Sequence, residues 1–187
     1  AIALYAVRQS GPVAGRRIAV LGAGPIGLCV ILAARADGVA AVYATDPVPE
    51  RRAAALRAGA AWAGDPERDD PVAEIARREP LGLDVVFECC GQQSAVEQGL
   101  AMLGPGGVLS MIGIPSVDRI SMQIDVARRK EIRFQNVRRQ AHCAEPALDL
   151  LAQRRIDGRW LITHRFPLER APEAFDLVEH LRDGVLK

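Results

Sequence analysis

Ile18-Ala19-Val20-Leu21-Gly22-Ala23-Gly24-Pro25-Ile26-Gly27 is the stretch whose reading decides the fold. Ile18 to Leu21 form a short apolar run with no polar face, the pattern of a strand buried on both sides, and glycine ends it. Gly22, Gly24 and Gly27 have the spacing G-x-G-x-x-G. Gly22 allows a sharp turn out of the strand. Gly24 has no side chain, so a pyrophosphate can approach the backbone. Gly27 allows the next helix to pack close to the sheet. Pro25 suits the first turn of that helix, where an N–H would have no partner anyway. The helix is expected to run through Leu28, Val30, Ile31 and Leu32 to about Ala36. Its N-terminus presents unpaired N–H groups and a partial positive charge to an anion.

The glycines alone are weak evidence; their surroundings strengthen them. Ala41 to Thr45 read as a second apolar strand. Asp46 ends it, roughly 24 residues after Gly22, where an acid is expected to accept hydrogen bonds from the adenosine ribose hydroxyls. A carboxylate there repels a 2′-phosphate and favours NAD over NADP. Arg51 and Arg52 pull the other way, since an arginine nearby can receive that phosphate. The bland alternative is a glycine-rich turn that binds nothing, with Asp46 capping the following helix.

The chain of 187 residues is long enough for one domain with a sizeable core. Hydrophobic residues at 49% and charged residues at 25% are ordinary for a globular domain. A net charge of +1 gives no reason to expect a nucleic-acid or membrane partner. Lys130 and Lys187 are the only lysines, and the arginine excess reads as a bias of composition rather than a binding patch. The cysteines are Cys29, Cys89, Cys90 and Cys143. Adjacent Cys89 and Cys90 suit no ordinary disulfide, and there is no C-x-x-C pair. The expected setting is reducing and cytoplasmic. No signal peptide and no membrane-spanning run is visible.

Further elements follow in order. Helices are expected over Glu50 to Arg57 and Val72 to Arg78, with a short strand at Ala60 to Ala63 between them. A strand at Asp84 to Glu88 ends in Cys89-Cys90-Gly91. A helix over Gln92 to Leu103 leads to a tight turn at 104–107 and a strand at Val108 to Ile112. An edge strand is expected at Ile120 to Ile124 and a sixth core strand at Ile132 to Val137. Pro146 to Gln153 read as helical, Trp160 to Thr163 as extended, and Glu169 to Leu181 as a last helix. Strands alternating with helices predict an α/β fold, a Rossmann-type doubly wound parallel six-stranded sheet of order 3-2-1-4-5-6. Its ligand crevice lies at the carboxyl ends of the strands, where the order reverses. Gly22 to Gly27, Asp46, Cys89 to Gly91 and Ile112 to Ile114 all fall there.

Five groups of residues carry a family resemblance. They are Val-Leu-Gly-Ala-Gly-Pro-Ile-Gly-Leu (20–28), Asp46 with Arg51, Val-Phe-Glu-Cys-Cys-Gly (86–91), Leu-Gly-Pro-Gly-Gly-Val-Leu-Ser-Met-Ile-Gly (103–113), and Thr-His-Arg-Phe-Pro-Leu (163–168) with Ala-Pro-Glu-Ala-Phe (171–175). Together they resemble the cofactor domain of the medium-chain, zinc-dependent alcohol and polyol dehydrogenases. The last two stretches are most like sorbitol and threonine dehydrogenase relatives.

The resemblance implies residues 1–15 as the end of an inter-domain helix and its turn, and 16–187 as the NAD(P)-binding domain. It implies that backbone near Pro25 and Ile26 holds the pyrophosphate. Asp46 takes the ribose hydroxyls, with Arg51 beside them. Cys89, Cys90 and Gly91 line the riboses. Ile112, Gly113 and Ile114, with Val137 and Arg138, orient the carboxamide. Arg139 matches an arginine that reaches cofactor or substrate. Arg138 and Gln140 depart from the polyol pattern, in which aromatic residues are common. The resemblance further implies a catalytic zinc held by a separate N-terminal domain, which these residues do not include. That zinc polarises an alcohol oxygen while hydride passes to the nicotinamide. No catalytic or metal-binding residue is therefore expected in this chain. A small alcohol or polyol is the implied substrate, and a homodimer or homotetramer the implied assembly. Residues 115–124 are the segment expected to pair across a two-fold axis.

Other readings compete. A zinc-free quinone reductase would use NADPH, and Asp46 opposes it. A non-catalytic nucleotide-sensing module would need only the glycine turn. Cys89 and Cys90 read as small apolar residues at a strand end rather than a redox or metal pair. His142, Cys143 and Glu145 match no standard zinc spacing. His164 and His180 read as surface or packing residues. Glu88 reads as a local hydrogen-bonding group, and Arg128-Arg129-Lys130 as a solvated helix end.

Overall fold

The computed structural model describes all of residues 1–187. Six parallel strands form one sheet: β1 (Arg17–Leu21), β2 (Ala41–Thr45), β3 (Trp62–Gly64), β4 (Leu83–Glu88), β5 (Leu103–Met111) and β6 (Arg133–Asn136). Their order is β3-β2-β1-β4-β5-β6, as the alternation of strand and helix predicts. β1 is central: Ile18 pairs with Val42 on one side and with Val85 on the other. Ile18, Val20 and Leu21 are at most 1% exposed, and each contributes about 1.5–3 kcal/mol by leaving water.

The helices are α1 (Ile2–Gln9), α2 (Pro25–Ala36), α3 (Pro49–Arg57), α4 (Pro71–Arg78), α5 (Gln93–Met102), α6 (Ile124–Arg129), α7 (Ala144–Ala152) and α8 (Ala171–Glu179). Pro stands in the first turn of α2, α3 and α4, where its missing N–H costs nothing. Asp70 also caps α4 by accepting from the Ala73 N–H at 2.9 Å. One core layer joins α1 and α2 to Ile18, Val20, Val85 and Phe87. The other packs α4 and α5 against Leu21, Val86 and Leu109. None of the residues of α8 is buried. No helix is long and apolar enough to cross a membrane.

Five expectations are corrected. The glycine-rich 104–107 segment is not a free turn before a strand. β5 begins at Leu103, opposite Leu83, and the next aligned pair is Val85 with Val108, so the glycines form a bulge inside the strand. No strand forms at Ile120 to Ile124. The Gln93 side chain takes both backbone groups of Ser121, donating to its oxygen at 2.6 Å and accepting from its nitrogen at 2.9 Å. α6 then starts at Ile124, with Asp125 bonded to Arg128 and Arg129 one turn on. Trp160 to Thr163 are not extended. Arg159–Leu161 form a single 3-10 turn, because Asp157 accepts from the Arg159 N–H and Leu161 turns into the core. Lys130 is not a solvated helix end. Its Nζ donates to the oxygens of Leu100, Ala101 and Leu103 at 3.1, 2.9 and 2.7 Å, closing the C-terminus of α5. The third strand also lies two residues later than its expected start at Ala60.

A polar tie crosses the bottom of the sheet. The Tyr43 hydroxyl donates to Glu79 Oε1 at 2.6 Å, and Arg17 Nε pairs with Glu79 Oε2 at 2.8 Å. Burial and this hydrogen bond push the Tyr43 phenol up to about 12. A free phenol titrates near 10. The folded state therefore holds the proton more tightly, and Tyr43 stabilises it fully below about pH 10. That contribution is lost as pH rises through about 12. We expect Tyr43→Phe to be less stable than wild type at pH 9 and the gap to shrink towards pH 12. Urea midpoints across that range check it; a constant gap would count against the bond.

Candidate functional site

The carboxyl ends of β1, β2, β4, β5 and β6 bring distant residues to one side of the sheet. Gly22 leaves β1 with φ +98°, a conformation only glycine adopts without strain. A Cβ there would stand 3.0 Å from Cys90 Cβ, so the turn after β1 lies against the turn after β4. A Cβ on Gly27 would run into the Gly22 carbonyl oxygen. At Gly24 nothing is closer to such an atom than Arg51 Nη1, at 3.9 Å. Gly24 is thus the open position of the three, and the N-terminus of α2 starts from it.

Asp46 is buried at the end of β2. Its Oδ2 accepts from the Ala23 N–H at 2.8 Å and its Oδ1 from the Val48 N–H at 2.9 Å. The carboxylate therefore shapes the glycine turn as well as facing the crevice. Each oxygen keeps one lone pair for a further donor. Arg51 reaches over Gly24, with Nη1 3.9 Å from Asp46 Oδ2. Its Nε is buried and has no partner. An orphaned donor beside an open glycine and a helix N-terminus suits an anionic, hydroxyl-rich ligand, so the residues present fit a dinucleotide.

Glu88 is the largest feature that sequence reasoning undervalued. It is buried, and Oε1 accepts from the N–H groups of Cys90 at 2.8 Å and Gly91 at 2.5 Å. Its backbone oxygen accepts from Ile112 and Gly113 at 2.9 and 3.0 Å. A Cβ on Gly113 would stand 2.6 Å from Glu88 Oε2. Gly91, with φ +73°, lies against Ile114 and Pro115. One glutamate thus locks the ends of β4 and β5 together. Desolvation and the Glu88 carboxylate hold the Cys89 thiol well above its usual value and push Cys90 up to about 12. Both thiols stay protonated at neutral pH, which makes them poor nucleophiles and ligands.

Next to this lock lies a cleft of about 760 Å³. Ile26, Cys89, Ile112, Gly113, Ile114, Val137, Arg138 and Arg139 line it, with Ile2 and Pro115. The structure thus brings Ile26, Cys89, Ile112 to Ile114 and Val137 to Arg139 together in one cleft, while Gly22, Gly24, Gly27, Asp46 and Arg51 gather around the turn after β1. Arg139 sits in the loop after β6 with φ +57°. No three His, Cys, Asp or Glu side chains come together as metal ligands. Cys143 is buried and accepts from Arg8 Nη1 at 3.6 Å, away from any such group.

A sheet of this order, with a glycine turn after its first strand and an acid after its second, defines a Rossmann-type nucleotide-binding domain. Residues 25–153 match the family described as zinc-binding dehydrogenase, and the chain belongs to that family. Sorbitol dehydrogenase of Ovis aries is 34% identical over 179 residues, covering 94% of this chain and 50% of its own. The crystal structure of 2R,3R-butanediol dehydrogenase from Bacillus subtilis superposes with a TM-score of 0.90 at 32% identity, over 98% of this chain and 52% of that one. A putative zinc-binding dehydrogenase from Sinorhizobium meliloti 1021, bound to NADP, gives a TM-score of 0.87 at 30% identity, over 92% and 52%. The chain spans about half the length of the curated relatives it matches.

Proposed function

We infer that this chain is the cofactor-binding part of an oxidoreductase that moves hydride between a small alcohol or polyol and NAD. The observation that carries the reading is the pairing of an open Gly24 with a buried Asp46 whose carboxylate faces the same turn. The Ile26 and Gly27 N–H groups and the dipole of α2 hold the pyrophosphate. Asp46 accepts from the adenosine ribose hydroxyls, and Arg51 Nε supplies the donor that now has no partner. Cys89 to Gly91 line the riboses, and the backbone of Ile112 to Ile114 with Val137 and Arg138 orients the nicotinamide in the cleft beside them. Arg139 stands at the cleft where an alcohol would approach.

The cofactor accepts or gives the hydride; the chain's residues bind it, orient it and exclude water. The 187 residues gather no zinc site, so this reading assigns them no part in activating the alcohol. The relatives' names, sorbitol and butanediol dehydrogenase, support an alcohol or polyol as substrate. Four unpaired thiols suit the cytoplasm we assign it to.

The test is calorimetric titration with NADH and NADPH. NADH is expected to bind at least about tenfold more tightly, since a carboxylate beside a phosphate is repulsive. Asp46→Ala is expected to weaken NADH and narrow that gap. Tighter binding of NADPH, or binding of neither, would overturn the reading.

A further inference from the structure

Two adjacent arginines on α3 lie near Asp46, and the fold treats them differently. Arg51 faces Gly24 and keeps an unpartnered Nε. Arg52 is turned away, towards the segment before α3 and the end of β3. Its Nη1 donates to the oxygens of Asp46 and Pro47, both at 2.8 Å, and to Asp65 Oδ2 at 3.1 Å. Asp65 follows β3 and is 7% exposed. It is itself held in place: Oδ1 accepts from the Glu67 N–H at 3.0 Å, and its own N–H donates to Asp69 Oδ2 at 2.7 Å. Arg68 Nε stands 3.8 Å from Asp65 Oδ2, but its side chain is 85% exposed, so Arg52 is the close partner.

We propose that Asp65 is a positioning residue that sets cofactor choice by withholding Arg52 from the adenosine 2′ position. The inference rests on the dinucleotide reading above. A 2′-phosphate beside Asp46 needs a cation to offset the carboxylate, and a guanidinium fork is the side chain that binds phosphate best. Arg51 is already shared with Asp46. Arg52 is the second fork, and its Nη1 is bonded to the Asp46 carbonyl itself. It is therefore within one side-chain length of the carboxylate and separated from it by rotamer, not by distance along the fold. Without the Asp65 charge, two neutral carbonyls remain to hold it. Those two bonds keep their charged donor but lose the opposed carboxylate, so a 2′-phosphate, which is itself anionic, outcompetes the neutral carbonyls for the guanidinium.

The test titrates NADH and NADPH fluorescence against wild type, Asp65→Asn, Arg52→Ala and the double variant. Asp65→Asn is expected to bind NADPH about tenfold more tightly, the change one charge-assisted contact makes, with NADH altered by no more than about twofold. The double variant is expected to return to the wild-type ratio. A general loosening of the fold would weaken both nucleotides together. Arg52→Ala alone is expected to keep the wild-type ratio, because the withheld arginine contributes nothing to NADPH. This variant can overturn the inference even if Asp65→Asn fails to fold. The inference falls if Arg52→Ala weakens NADPH selectively, if a folded Asp65→Asn keeps the wild-type ratio, or if its gain survives loss of Arg52. Wild type binding no NADH would overturn the dinucleotide reading itself, a result distinct from NADH bound with an unchanged ratio.

Discussion

Gly27→Ala is expected to unfold or severely destabilise the chain, by at least about 2–3 kcal/mol. In an isolated helix the same change would help, by up to about 1 kcal/mol, because alanine is the better helix former. Sterics decide against it here. The new methyl would collide with the Gly22 carbonyl oxygen and stand 3.1 Å from Val20 Cγ1. Neither neighbour can withdraw. The Gly22 N–H is bonded to the Thr45 oxygen at 2.8 Å, and its Cα faces the Cys89–Cys90 backbone. Thermal melting checks it, with Gly24→Ala as the control. Gly24 has open space around it, so that variant is expected to melt near wild type while losing nucleotide affinity. A Gly27→Ala chain as stable as wild type would mean that α2 does not approach the sheet this closely.

Glu88→Ala is expected to cost roughly 2–3 kcal/mol, because it strips the acceptor from two N–H groups at once, the buried one of Gly91 and the part-buried one of Cys90. Glu88→Gln keeps an amide oxygen for them and is expected to lose less. Denaturant midpoints measure the cost, and hydrogen exchange at the Cys90 and Gly91 amides locates it. If Glu88→Ala stays within about 1 kcal/mol of wild type, the carboxylate is not what holds the turn after β4.

The parts of the fold readable from the sequence were those governed by period and punctuation. Strands β1, β2 and β4 are apolar runs ended by Gly22, Asp46 and Cys89, and each was placed to within a residue or two. The sheet order followed from the alternation itself. Misreadings fell where a remote group overrode a local pattern. Ile120 to Ile124 alternate like an edge strand, yet the Gln93 amide occupies the backbone of Ser121. Lys130 sits in a basic run, yet three carbonyls of another helix end draw it in. At the site, the glycines and Asp46 are local signals. The locking role of Glu88 and the hold of Asp65 on Arg52 are not, because each depends on which strand ends become neighbours.

A strand at the centre of a parallel sheet is begun early and finished late. β1 leaves the ribosome well before β4, so one of its two edges is closed only when Val85 to Glu88 arrive. Until then Ile18 to Leu21 lie open on that side, and the glycine turn lacks the Cys89–Cys90 backbone it rests on. Every connection in the sheet is a crossover, so no hairpin is available as an early nucleus. The nascent chain thus passes through an interval in which its most apolar strand is exposed and its nucleotide crevice does not exist. In that interval a bound dinucleotide gives no protection, because the site that would hold it has not formed.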